Sequence, residues 1–167
     1  MSKVNSMSVA PKQQCRLFSS HSGIILQYLI QDVSEIKRGE KGKIQHVVIT
    51  GSRERAFQVL ACFCRALQHK PITCHASVGS LKLERDLKAL HFGVDILVVT
   101  ASRLSRLYYG NENCFDEVQT VILDECELLF SKPMKKKVFC SHLTSSLVDR
   151  RQLICTSSRG HSSIFHR

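Results

Sequence analysis

Residues 93–104 read Gly-Val-Asp-Ile-Leu-Val-Val-Thr-Ala-Ser-Arg-Leu, and their pattern decides the fold. Asp95 to Val99 is almost continuously apolar, as expected of a parallel strand covered on both faces rather than one with a wet side. Leu104 and Leu107 then begin a helix. Moving back along the chain, Leu81, Leu83, Leu87 and Leu90 alternate with Lys82, Glu84, Arg85 and Lys88, a helix for which Ser80 can serve as N-cap. Before it lies a strand, Ile72 to Ala76, preceded by Pro71, which stops an earlier helix over Arg53 to Gln68. In that earlier helix Ala56, Val59, Leu60, Phe63 and Leu67 recur on one face. Gln45 to Thr50 is another strand.

Moving forward, Val118 to Leu123 and Leu153 to Cys155 read as strands. Near the start, Cys15 to Phe18 reads as the first strand and Ile24 to Val33 as the first helix. Strands alternating with helices at this spacing predict an α/β domain, a parallel sheet flanked by helices on both faces. The expected limits are a flexible N-terminus over 1–12, the domain over 13–160 and a tail over 161–167.

The chain has 167 residues, enough for one domain with a sizeable core. Its 24 basic and 14 acidic residues give a formal net charge of +10, which favours a polyanionic partner. Met1 to Ala10 is polar, without the apolar stretch of a secretory signal, and the longest apolar runs are strand-sized. A soluble cytoplasmic protein without a membrane partner is expected, the nucleus being the alternative. Of the eight cysteines, Cys15, Cys62, Cys74, Cys140 and Cys155 sit among apolar residues and read as small hydrophobes. Cys62, Cys64, Cys74 and His75 do not have the spacing of a known zinc module, so no metal centre is expected from them.

Ligands of open parallel sheets bind beyond the carboxyl ends of the strands. The residues there are Thr50-Gly-Ser-Arg-Glu-Arg-Ala56, Thr100-Ala-Ser-Arg-Leu104 and Asp124-Glu-Cys-Glu127. Gly79-Ser80 lies between the first two, and Arg151-Gln152 leads to Ser157-Ser-Arg159. This series resembles the DEAD-box RNA helicases, which carry Pro-Thr-Arg-Glu-Leu-Ala, a glycine pair, Thr-Pro-Gly-Arg-Leu, Asp-Glu-Ala-Asp and Ser-Ala-Thr in that order. The resemblance runs from about Phe18 to Arg159 and implies the first RecA-like domain of such a helicase. ATP and magnesium are the cofactors it implies, and the backbone of single-stranded RNA is the implied partner.

By the same resemblance Asp124 would hold magnesium, and Glu125 would position the attacking water. Glu127 and Ser157 would couple hydrolysis to domain closure, although Arg159 replaces the motif's threonine. Ser52, Arg53, Gly79, Ser80, Thr100, Ser102 and Arg103 would grip the RNA backbone. The phosphate loop, Thr-Gly-Ser-Gly-Lys-Thr in the family, aligns with Ser20, His21, Ser22, Gly23, Ile24 and Ile25. Ile24 therefore stands for the phosphate-binding lysine and Ile25 for the magnesium-binding hydroxyl. The expectation is a degenerate domain that binds RNA or ribonucleoprotein partners with weak or no ATP hydrolysis. Its alternatives are an RNA-dependent ATPase within a longer chain and a protein-interaction scaffold.

Plainer readings of the same residues stay open. Asp124 and Glu125 suit an acidic helix start, Ser52 and Ser102 suit helix caps, and Arg53 suits an ion pair with a nearby carboxylate or with the acid motif. Lys135-Lys-Lys137 suits a solvated face. Similar degenerate domains occur in Tudor-domain-containing helicase-like proteins of the PIWI-interacting RNA pathway, which would place the chain in RNA silencing and in ribonucleoprotein granules. Helicase action in the family needs a second such domain, so a fragment or truncated form is expected.

Overall fold

The computed structural model describes the backbone of Cys15–Ser19, residues 38–130, Leu147 and residues 152–157. The aligned phosphate loop at 20–25, the helix expected from Ile24, Lys135 to Lys137, Arg159 and both end segments lie outside the described residues.

Six strands form one parallel sheet among them: β1 (Cys15–Ser19), β2 (His46–Thr50), β3 (Cys74–Ser77), β4 (Ile96–Thr100), β5 (Thr120–Leu123) and β6 (Gln152–Ser157). Four helices lie between them among the described residues: α1 (Arg53–Ala66), α2 (Leu83–Phe92), α3 (Ala101–Tyr108) and the short α4 (Cys126–Phe130). The spatial order is β1-β6-β5-β2-β4-β3, with every neighbouring pair parallel.

Alternation along the central strands sends successive side chains to opposite faces. Val48, Ile96, Val98, Ile122 and Ile154 pack with Ala56, Val59 and Phe63 of α1. Val47, Ile49, Leu97, Val99, Val121 and Leu123 pack with Leu90 of α2, Leu104 and Leu107 of α3 and Leu129 of α4. Every residue of β2, β4 and β5 is buried, which is why those segments lack polar alternation. No helix among the described residues is long and apolar enough to cross a membrane.

Several element ends differ by a residue or two from the sequence expectation, and at three places a hydrogen bond gives the reason. The strand expected at Ile72 to Ala76 runs instead from Cys74 to Ser77. Asp95 is the cause: its buried carboxylate accepts from Thr73 N–H at 2.8 Å, while Thr73 C=O accepts from Asp95 and Ile96. Ser80 does not cap α2. It lies in the tight turn closed by Leu81 N–H donating to Val78 C=O, and Lys82 holds the cap position without a side-chain bond. Strand β5 starts at Thr120 rather than Val118, whose N–H is tied to Phe115 C=O at the end of a 3₁₀ turn, Glu112–Phe115.

Candidate functional site

Strand order and register bring the carboxyl ends into one row. Thr50 pairs with Thr100 and Ser77 with Val99, while Ile49 pairs with Leu123, which pairs in turn with Cys155. Asp124 therefore emerges on the β5–β6 side of β2, and the loops after β3 and β4 emerge on the other. The site has two halves that meet at the start of α1.

The half beyond β2, β4 and β3 is lined by small polar groups. Ser52 caps α1, its Oγ accepting from Arg55 N–H at 3.2 Å. Arg53 follows with its side chain 55% exposed and only a loose pair to Glu54 at 3.8 Å. Gly79 and Ser80 are exposed, and a Cβ added at Gly79 would meet nothing within 4 Å. Thr100 sits at the N-cap of α3 with Oγ1 buried and without a partner among the described residues. Ser102 is exposed in the first turn of α3, so capping is not its role. Five of the expected RNA contacts, Ser52, Arg53, Gly79, Ser80 and Ser102, thus reach solvent on adjacent strand ends.

Arg103 does not, and this corrects the expectation that it faces RNA. Its side chain is 1% exposed and points inward. Nη2 donates to Val78 C=O at 2.8 Å and to Leu81 C=O, Nε donates to Val78 C=O at 3.2 Å, and Asp86 Oδ2 lies 3.7 Å from Nε. The Val78 and Leu81 carbonyls after β3 have no ladder partners, and Val78 C=O otherwise accepts only the turn bond from Leu81 N–H. Arg103 supplies donors to both, so it fixes the loop that carries Gly79 and Ser80 instead of touching a ligand. Asp86, fully buried, is held in turn by Ser77 Oγ at 2.5 Å and His75 Nε2 at 2.9 Å.

The other half is the acid turn. Asp124 is fully buried. Arg55 Nε donates to its Oδ2 at 2.6 Å and Arg55 Nη2 to Oδ1 at 3.4 Å, while Thr156 Oγ1 donates to Oδ1 at 2.7 Å. Glu125 adopts the left-handed backbone (φ 55°), a conformation that costs a non-glycine residue about 1 kcal/mol and recurs at functional turns. Its N–H donates to Thr156 Oγ1 at 3.2 Å, which helps to hold that turn. Glu127 lies half-buried in the first turn of α4, whereas the side chain of Ser157, the other residue expected to couple hydrolysis to closure, is outside the described residues. Gly51 lets this half close on the other, since a Cβ there would lie 2.9 Å from Leu128 Cβ on α4.

Two residues of this half were missed in the sequence. Arg55 had a visible signal, because it occupies the place of the leucine in Pro-Thr-Arg-Glu-Leu-Ala. Thr156 had none, since only the β5–β6 register sets it beside Asp124. The ion pair with the acid motif that was open to Arg53 on sequence grounds is made by Arg55, two residues on. Both oxygens of Asp124 are thereby engaged, so the residues present do not fit the magnesium site that the resemblance implies.

Burial pushes the Glu125 carboxyl above its ordinary value of 4.5, and Asp124 beside it adds to the rise. A carboxyl raised in the folded state is favoured there in its protonated form, so its ionisation costs stability as pH rises through the folded value. Glu125→Gln is therefore expected to raise the melting temperature at pH 7. The gain should vanish below the ordinary value of 4.5, where the carboxyl is neutral in both the folded and the unfolded chain. Thermal unfolding of the two proteins across pH 3–8 checks this, and a gain that persists at pH 3 would point to another cause.

A parallel sheet with helices on both faces, an acid pair leaving β5 and polar strand ends beside it, defines a RecA-like domain of the helicase type. The chain belongs to the DEAD/DEAH box helicase family, whose family model matches residues 22–158. Among curated proteins, the ATP-dependent RNA helicase eIF4A of Candida albicans is 27% identical over 120 residues, covering 72% of this chain and 30% of that protein. The ATP-dependent RNA helicase DHH1 of Kluyveromyces lactis is 26% identical over 152 residues, 91% of this chain and 29% of its own length.

Among solved structures, the DEAD-box helicase Mss116 bound to ssRNA and UDP-BeF superposes with a TM-score of 0.66 at 17% identity, covering 82% of this chain and 29% of that one. The yeast DEAD-box splicing factor Prp28 gives 0.73 at 17% identity over 88% of this chain and 36% of that one. The chain spans about three-tenths of the length of the curated helicases it matches.

Proposed function

We propose that this chain is a degenerate DEAD-box module that binds the backbone of single-stranded RNA and hydrolyses ATP weakly or not at all. The observation that carries the reading is the asymmetry of the site. On the β2–β4–β3 side, hydroxyls, an exposed arginine and an open glycine face solvent at adjacent strand ends. On the β5 side, the metal-holding carboxylate of the family is buried and already bonded. Ile24 and Ile25 in the aligned phosphate loop add to this, because they carry neither the lysine charge nor the magnesium-binding hydroxyl. The likeness to named RNA helicases supports RNA as the polyanion that the +10 charge calls for.

Gly79 is central to the reading. Its φ is not positive and space around it is empty, so the fold itself has no need of glycine there. A phosphate approaching the backbone would need that space. Gly79→Ala is expected to leave stability unchanged or raise it by up to about 1 kcal/mol, while weakening RNA binding severalfold. With about four phosphate contacts, the affinity of the unaltered chain for single-stranded RNA should fall roughly 50-fold between about 50 and about 200 mM salt. Fluorescence anisotropy with a labelled oligonucleotide measures both. Absence of binding at low salt would overturn the reading and favour a protein-interaction scaffold using the same face.

Asp124 and Glu125 are the observation in favour of the second reading, an RNA-dependent ATPase completed by further domains. The motif losses are also what supports the kinship with Tudor-domain-containing helicase-like proteins, and with it ribonucleoprotein partners and a place in cytoplasmic granules.

A further inference from the structure

We infer that Arg55 is the resident counter-cation of Asp124: it takes the place of the divalent metal, so the acid turn is charge-balanced without one and admits none while the arginine is there. This rests on the reading of Asp124 as the counterpart of the family's magnesium-holding carboxylate, and it is independent of RNA binding.

The geometry is two-pronged, with Nε on Oδ2 at 2.6 Å and Nη2 on Oδ1 at 3.4 Å. Thr156 Oγ1 takes Oδ1 as well, at 2.7 Å. A magnesium or manganese ion binds through carboxylate oxygens and brings bound waters with it. Here the carboxylate is fully buried, its arginine partner is only 12% exposed and both oxygens already accept hydrogen bonds, which opposes entry of a hydrated ion. A guanidinium on the carboxylate also opposes the approach of a second cation.

The position of Arg55 shows that the pair serves the acid turn rather than the helix. A basic side chain in the first turn of a helix opposes the macrodipole. Arg55 stands in that first turn, and its side chain reaches across to Asp124, just after β5, instead of extending into water. Ser52 fixes its backbone by accepting its N–H at 3.2 Å. The hydrogen bond to Asp124 raises the guanidinium further above its already high ordinary value, so no accessible pH removes the charge. The family motif has leucine at this position, and a leucine side chain would leave the carboxylate without a cation of its own.

The test uses Mn²⁺ alone, without nucleotide or RNA, with free metal followed by electron paramagnetic resonance and stability by thermal unfolding. The unaltered chain is expected to show no saturable site and no stabilisation by the metal. Arg55→Leu is expected to gain one site of roughly millimolar affinity or better, with a melting temperature that rises on adding Mn²⁺. Arg55→Leu combined with Asp124→Asn should lose that site. Should Arg55→Leu fail to fold in its absence, recovery of the folded signal on refolding with Mn²⁺, and not with Na⁺, supports the inference, and no recovery overturns it. A site in the unaltered chain that Asp124→Asn abolishes also overturns it, as does a folded Arg55→Leu protein that binds no metal. The RNA affinity of the unaltered chain, measured alongside, decides the proposed function separately.

Discussion

Arg103→Met is expected to cost about 3–5 kcal/mol of folding stability, the range found when one member of a buried charged pair is removed. The side chain is 1% exposed and ties three strand-end segments together. It starts on α3, bonds the Val78 and Leu81 carbonyls after β3, and faces Asp86 on α2. Methionine fills similar volume but leaves the Leu81 carbonyl without its arginine donor, the Val78 carbonyl with only the turn bond from Leu81 N–H, and Asp86 with a weaker positive environment. Nη1 is itself buried without a partner among the described residues, which reduces what the arginine contributes and argues for the lower part of the range. Urea denaturation measures the loss. A change below about 0.5 kcal/mol, within ordinary surface scatter, would mean the clasp on Val78 and Leu81 is not formed in solution. Where the variant stays folded, RNA affinity should drop as well, because Gly79 and Ser80 ride on the loop it holds. Its salt dependence should keep the same slope, since no phosphate contact has been removed.

Phe63→Ala should be of comparable size, about 3–5 kcal/mol from lost transfer energy and the cavity left behind. Phe63 is 1% exposed at the centre of the face that α1 presents to Val48, Ile96, Val98 and Ile122. Chemical denaturation should show an unchanged slope with an earlier midpoint, the mark of lost packing without a change in the surface exposed. The same helix begins with Ser52, Arg53 and Arg55, so looser packing of α1 reaches both halves of the site. Phe63→Leu, which keeps most of the volume, should recover much of the loss. Equal losses for the alanine and leucine variants would sink the cavity account.

The sheet was legible because its periodicities are strong. Ile96 to Val99 and Val121 to Leu123 are apolar throughout, and only burial on both faces requires that. The helical stripe of Ala56, Val59 and Phe63 identified α1 for the same reason. Boundaries moved wherever a side chain competed for backbone groups, as Asp95 does at Thr73. The motif residues were legible as a linear series, but not their orientation. Ser52 and Arg103 both sit after strands and both carry donors, yet one lines the surface and the other is enclosed.

By itself, then, the sequence determined a parallel α/β sheet, the strand ends that carry chemistry, and the family to which those ends point. Alternation and helical spacing are local properties, and local properties survive in one dimension. Which polar side chains are spent inside the fold was decided only by the tertiary structure. Arg55 meets Asp124 across 69 positions of sequence, Thr156 meets it across 32, and Arg103 reaches back 25 to Val78. Such pairings depend on strand order and register, and a buried carboxylate or carbonyl takes whichever donor that register sets beside it.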